Sequence, residues 1–200
     1  MKNSIMDTIK NRIESAKEGT IFVTSDFLDL ANKTTVRQCL GRLVKANIIR
    51  RVMDGVYEKP KYSSSLNEFI STDPDLIAKT IANIYHWTIS PSDDVALNKL
   101  GLSTREPTVW SYISDGPYRE YTFNGITISF KHRANRNISK MSDSSSLVIE
   151  ALRTLGKDQV DDRVINTLKE KLSKKEKDLL LKESLNTSEW IYKTIRKVCD

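Results

Sequence analysis

The chain has 200 residues, 38% of them apolar and 29% charged, which exceeds the usual size of one compact domain and suits a helix-rich globular protein with modest cores. No apolar run approaches the roughly 20 residues that span a bilayer. The N-terminal stretch MKNSIMDTIKNRIES carries charges where a signal peptide needs an unbroken apolar segment, so a cytoplasmic protein without a membrane partner is expected. The formal net charge is +6, and it is concentrated: Lys33, Arg37, Arg42, Lys45, Arg50, Arg51, Lys59 and Lys61 oppose only Asp54 and Glu58 between Lys33 and Tyr62, a surplus of six. A basic excess on one small module is the electrostatic footprint of phosphate neutralisation.

Residues 3–17 are expected to form a first helix, because Ile5, Ile9, Ile13 and Ala16 recur at helical spacing and Gly19 supplies a stop. Residues 20–23 read as a short strand. Ser25 is placed to cap a short helix through Leu30, with Asp26 in its first turn.

The next helix is expected over residues 33–47. Val36, Cys39, Leu40, Leu43 and Val44 fall on one face in the pattern of a buried stripe. The opposite face collects Thr34, Gln38, Gly41 and Lys45, with Arg37 and Arg42 at its edges, and Lys33 and Thr35 of the first turn complete the candidate contacts. Arg recognises guanine O6 and N7, Gln recognises adenine N6 and N7, and Thr and Lys hold phosphates, so this is a recognition helix's inventory. Any amphipathic helix has a charged outer face, however, and the following segment decides between the two readings. There Arg50-Arg51-Val52 leads to Asp54-Gly55 and Tyr57-Glu58 returns, a hairpin whose turn needs the positive φ that Gly accepts. Helix, turn, helix and basic hairpin make a winged helix-turn-helix, with Arg50, Arg51 and Tyr57 as contacts from the wing.

Residues 62–67 are rich in serine after Pro60 and read as a connector between a domain at 1–62 and a second at 63–200. Helices are expected over residues 75–85 and 91–100. Asp93-Asp94 admits a metal-binding reading, but adjacent helical acids point apart, and complementing the helix dipole is the better account. Residues 108–131 form three short strands, with Ile126, Ile128 and Phe130 alternating against Thr127, Ser129 and Lys131 as in a half-buried sheet. Lys131, His132, Arg133 and Arg136 cluster at its end, as a second nucleic-acid patch or, preferably, a solvated loop. Residues 144–155 read as a helix stopped by Gly156, and the chain from 160 to 198 is helix-rich. The fold class is therefore α+β and mostly helical: an N-terminal winged helix-turn-helix, then a second α+β domain with a small antiparallel sheet and C-terminal helices.

Cys39 and Cys199 sit in no ligand-like cluster with His86 or His132; a core thiol and a free thiol near the terminus are expected, with no metal or cofactor. No P-loop, G-x-S-x-G, G-x-G-x-x-G or H-E-x-x-H occurs, so no catalytic residues and no enzyme are expected.

The stretches Thr24 to Leu28, VRQCLGRL and IIRRVMDGVYEKP, followed by ISPSDDVALNKLGLST and PTVWSYISDGPYREYTFNGITISFKH, resemble the AbiEi-type antitoxins of type IV abortive-infection toxin–antitoxin systems. The resemblance covers roughly residues 4–157, and its most specific element is the winged motif paired with the Leu100–Thr104 phrase before a strand meander. It implies a transcriptional autorepressor that binds double-stranded DNA at its own promoter, with inverted repeats the expected operator. It also implies an antitoxin that counters a nucleotidyltransferase toxin without a stable complex. The competing reading is a protein–protein interaction module that binds a partner enzyme through its C-terminal half.

Overall fold

Helix α1 (Ile5–Ser15) begins at a capping box: the Ser4 hydroxyl accepts from the Asp7 amide at 3.1 Å, and the Asp7 carboxylate accepts from the Ser4 amide at 3.2 Å. The computed structural model to which it belongs describes residues 4–70, 72–133 and 141–200. It is α+β with about half of the chain in helices, and it packs as two units, Met1–Thr80 and Ile81–Asp200.

In the first unit, strands β1 (Ile21–Val23), β2 (Arg50–Met53) and β3 (Val56–Glu58) make an antiparallel sheet in the order β1-β3-β2. The short helix expected after Ser25 is a 3-10 turn at Thr24–Phe27. Its cap is the Asp26 carboxylate, which accepts from the Val23 amide at 2.8 Å. Arg12 fixes the turn from outside, donating to the Asp26 carbonyl at 2.8 Å and to both Asp29 oxygens at 2.9 and 2.7 Å. Helix α2 (Lys33–Lys45) starts at Asn32, whose side chain accepts from the Thr35 amide at 3.0 Å. It ends as Asn47 takes a left-handed φ of 55° and the Ile48 amide returns to the Leu43 carbonyl at 3.0 Å.

The expected stripe is the core of this unit: Val36, Cys39, Leu40 and Leu43 are buried with Ile9 and Ile13 of α1 and with Phe22, Phe27, Ile49 and Tyr57. The Lys59 ammonium donates to the Glu14 and Ala16 carbonyls at 2.6 and 2.7 Å, satisfying the exposed end of α1.

Residues 62–67, expected as a connector, belong to a second hairpin. β4 (Lys61–Ser63) pairs antiparallel with β5 (Glu68–Ile70). Asn67 turns the chain at φ 54°, and its side chain accepts from the Tyr62 hydroxyl at 2.6 Å. Helix α3 (Pro74–Tyr85) carries the chain across the boundary between the units.

The second unit has a four-stranded sheet in the order β6-β7-β9-β8, formed by β6 (Ile89–Pro91), β7 (Val109–Ser114), β8 (Arg119–Phe123) and β9 (Ile126–His132). The three strands expected from the sequence are present, but they are not a meander. β9 inserts between β7 and β8 and runs parallel to β7, from Val109 opposite Thr127 to Ser114 opposite His132. Ser129 of β9 is buried together with Ile128 and Phe130, so both faces of the strand are covered there. α4 (Asp93–Leu100) packs on β7 and α5 (Asp143–Leu155) on β6, while α6 (Asp162–Lys171), α7 (Lys174–Glu183) and α8 (Glu189–Cys199) pack with these two helices and with one another. Their shared core includes Leu100, Ile149, Leu152, Leu168, Leu180 and Ile195. No helix among the described residues is long and apolar enough to cross a membrane.

Candidate nucleic-acid interface

The outer face of α2 carries Lys33, Thr34, Arg37, Gln38, Arg42 and Lys45 exposed, with Thr35 half-buried against the Asn32 cap. Gly41 lies on the same face, and a Cβ built there would meet nothing within 4 Å. Among the described residues, Lys33, Arg42, Lys45 and Lys61 form no ion pair.

The β2–β3 hairpin stands beside this face. Its turn is anchored to the 3-10 turn that follows β1, because the Thr24 amide donates to the Gly55 carbonyl at 3.0 Å while Gly55 takes the expected positive φ of 77°. The turn presents the Asp54 carboxylate to two arginines. Arg37 of α2 donates to Asp54 Oδ2 through Nη2, and Arg51 of β2 donates to Oδ1 at 3.3 Å. The Arg37 hydrogen bond holds the Asp54 carboxyl below its ordinary range, with Arg51 and Lys33 adding to the pull. That same bond raises the Arg37 guanidinium above its ordinary value.

Arg50 has a different environment from the one expected. Its guanidinium lies 3.6 Å from Glu58 and 4.5 Å from the centre of the Phe69 ring, so it joins β2, β3 and the second hairpin. The Glu58 side chain is 3% exposed, and burial pushes its carboxyl up against the opposing pull of Arg50. Tyr57 is corrected outright as a surface contact. Val56, Tyr57 and Glu58 of β3 are all buried, so both faces of the strand are covered, and Tyr57 packs in the core with Ile9, Leu40 and Leu43 and with Arg51 over its ring at 5.8 Å. Lys59 likewise spends its charge on α1. The structure thus brings Arg37, Arg51 and Asp54 together, leaves Gln38, Arg42 and Lys45 open on α2, and withdraws Tyr57 from the surface.

Two of the second unit's candidates, Lys131 and His132, have internal side-chain partners. Lys131 pairs with Asp93 at 2.6 Å, which occupies one member of the Asp93-Asp94 couple. His132 Nδ1 lies 2.8 Å from the Gly116 carbonyl, and the Arg133 amide donates to the Ser114 carbonyl at 2.7 Å; Arg136 lies outside the described residues. Cys39 is buried in the first core, and Cys199, expected as a free terminal thiol, packs against the second core near the Lys177 carbonyl at 3.6 Å. Burial pushes the Cys199 thiol up. Among the described residues no group of three or more His, Cys, Asp or Glu is arranged to hold a metal. Gly101 to Thr104 of the Leu100–Thr104 phrase line an open cleft of about 430 Å³ with Asp161, Arg163 and Thr167, and Leu100 is buried in the core.

The chain belongs to a family of unknown function, DUF6088, which matches residues 8–180 and so extends past residue 157 through α6 and into α7. A comparison with curated proteins gives no match.

Proposed function

We propose that this chain is a cytoplasmic DNA-binding autorepressor and the antitoxin of a type IV toxin–antitoxin pair. In this reading α1, the turn at Thr24–Phe27 and α2 form a helix-turn-helix, β1 with the β2–β3 hairpin forms the wing, and α2 enters the major groove. The observation that carries it is the split of α2: an apolar stripe spent on the core, and an outer face of Arg37, Gln38, Arg42 and Lys45 around a glycine, flanked by a basic hairpin. Bidentate donors for base edges and cations for phosphates then share one exposed face. The antitoxin role rests on the resemblance of the VRQCLGRL, IIRRVMDGVYEKP and LGLST phrases. It makes the partners the chain's own promoter, with inverted repeats, and a nucleotidyltransferase toxin that is countered without a stable complex. The chain itself does no chemistry and needs no cofactor.

The test is an anisotropy titration of the full chain against the duplex upstream of its own gene, repeated at rising salt. Affinity should fall along a log–log slope of about −0.9 per phosphate neutralised, and an unrelated duplex should bind more weakly. Salt-insensitive or absent binding sinks the DNA reading. Cells expressing a neighbouring nucleotidyltransferase should grow when the chain is supplied from an independent promoter. Arrested growth despite soluble chain sinks the antitoxin role alone.

A further inference from the structure

We infer that Asp54 is a positioning residue that aims Arg37 at a guanine edge and away from phosphates, an inference that rests on the DNA-binding reading of α2. Two elements distant in sequence converge on this carboxylate, Arg37 from α2 and Arg51 from β2, and the turn that carries it is fixed to the 3-10 turn after β1 through Thr24 and Gly55. The pair is open to solvent, with the Asp54 side chain 69% exposed and the Arg37 side chain 42% exposed. A partner can therefore reach the guanidinium while Asp54 still holds it.

The donor geometry leaves Arg37 able to read a base. A guanidinium has five N–H donors in a rigid plane, and Asp54 takes one proton of Nη2. If that proton faces Nε, the Nη1–Nη2 edge keeps two adjacent donors. If it faces Nη1, the Nε–Nη2 edge keeps them. Either edge matches guanine O6 and N7. Pinning the long side chain also removes rotamer freedom before DNA arrives, so less is lost on binding.

The charge of Asp54 supplies the selection. A phosphate approaching Arg37 would stand beside a carboxylate, and like charges disfavour it, whereas the neutral acceptor edge of guanine meets no such penalty. Without Asp54, Arg37 is a mobile cation that any phosphate satisfies. Held by Asp54, it gives up general affinity and gains base preference. Arg42 and Lys45 on the same helix have no such acid among the described residues and remain suited to the backbone.

The experiment uses the full chain. Preferred duplexes are selected from a random pool with the wild type, and binding is then measured for wild type, Asp54→Ala, Asp54→Asn and Arg37→Ala. The probes are the preferred duplex, a random duplex, and preferred duplexes carrying 7-deazaguanine at each guanine in turn. Asp54→Ala and Asp54→Asn should bind the random duplex more tightly and lose on the order of tenfold in preference at one guanine. That guanine should be the one where Arg37→Ala loses preference and where 7-deazaguanine weakens the wild type. Asp54→Asn keeps the shape of the side chain, so it carries the test where Asp54→Ala melts early. If both variants tighten on all duplexes equally and the preference profile is unchanged, Asp54 is only a charge and this inference is overturned while DNA binding stands. If the wild type shows no salt-dependent DNA binding, the functional reading fails and takes this inference with it.

Discussion

The Trp87 ring occupies the place of a side chain on Gly116, so that a Cβ built on Gly116 would stand 2.3 Å from Trp87 Cε2 and 2.4 Å from Cδ2. Trp87 is held there by its own contacts, stacked on Tyr85 at 4.8 Å and edge-on to Phe130 at 5.5 Å. Gly116 does not have a positive φ, so the need for glycine is steric rather than conformational. Gly116→Ala should therefore act as an overpacking substitution and destabilise this unit by about 1–3 kcal/mol. Trp87, Trp110 and Trp190, the three tryptophans of the chain, all belong to Ile81–Asp200. Tryptophan fluorescence during urea unfolding then reports this unit, and an unchanged midpoint would contradict the contact.

Burial of Glu58 gives a pH-dependent stability with a definite sign. Its folded carboxyl lies above the ordinary value, because burial outweighs Arg50. In acid, below the ordinary carboxylate range, the group is protonated in both folded and unfolded chains and contributes no difference. As pH rises past that range and through the folded value, the unfolded chain releases the proton first, and stability falls. Glu58→Gln should accordingly melt higher than wild type at neutral pH, with the gap closing in acid. Arg50→Ala should melt lower at neutral pH, since it strands a buried carboxylate, and that loss should also shrink in acid. Circular-dichroism melting across pH checks both, and a gap that widens in acid would reverse the assignment.

Gly41 weakens α2 for no packing reason, as its Cβ position is open. Gly41→Ala should raise stability by about 1 kcal/mol, the ordinary propensity difference at a helix interior. If α2 lies in a DNA groove with its backbone close to the wall, the same substitution should weaken binding while the protein becomes more stable. A variant that is both more stable and unimpaired on DNA would remove Gly41 from the interface.

The apolar stripe of α2 and the Asp54-Gly55 turn were legible in the sequence because both are local patterns, one of helical period and one of turn chemistry. What escaped is non-local. Nothing in residues 62–67 announces a strand end, because Tyr62 and Phe69 form a hairpin whose large side chains remain exposed. The insertion of β9 beside β7 depends on a crossover that alternation along one strand does not encode. The same holds for the candidate interface. Arg37, Gln38, Arg42 and Lys45 could be assigned to one helical face, but Asp54 is seventeen positions from Arg37 and reaches it only through folding. Tyr57 suits a DNA contact by its aromatic ring and hydroxyl, but the pleat of β3 puts it on the face that α1 and α2 cover, in the core with Ile9 and Leu40.

These placements change which substitutions probe phosphate contacts cleanly. Arg50 is unsuitable, since its loss disturbs Glu58 and detaches Phe69. Arg42 and Lys45 are exposed on α2 and have no ion pair among the described residues, so removing them should leave the fold intact. The double variant Arg42→Ala, Lys45→Ala should melt within about 0.5 kcal/mol of wild type, as expected for open surface positions. Its affinity should fall for specific and random duplexes alike, because phosphates are present in every sequence. Two fewer neutralised phosphates should flatten the log–log salt slope by about 2. Arg37→Ala should instead lose base preference while changing the slope little, because Asp54 already shares its charge. Equal slopes for wild type and the double variant, with both folded, would move the phosphate-binding face away from the C-terminal half of α2.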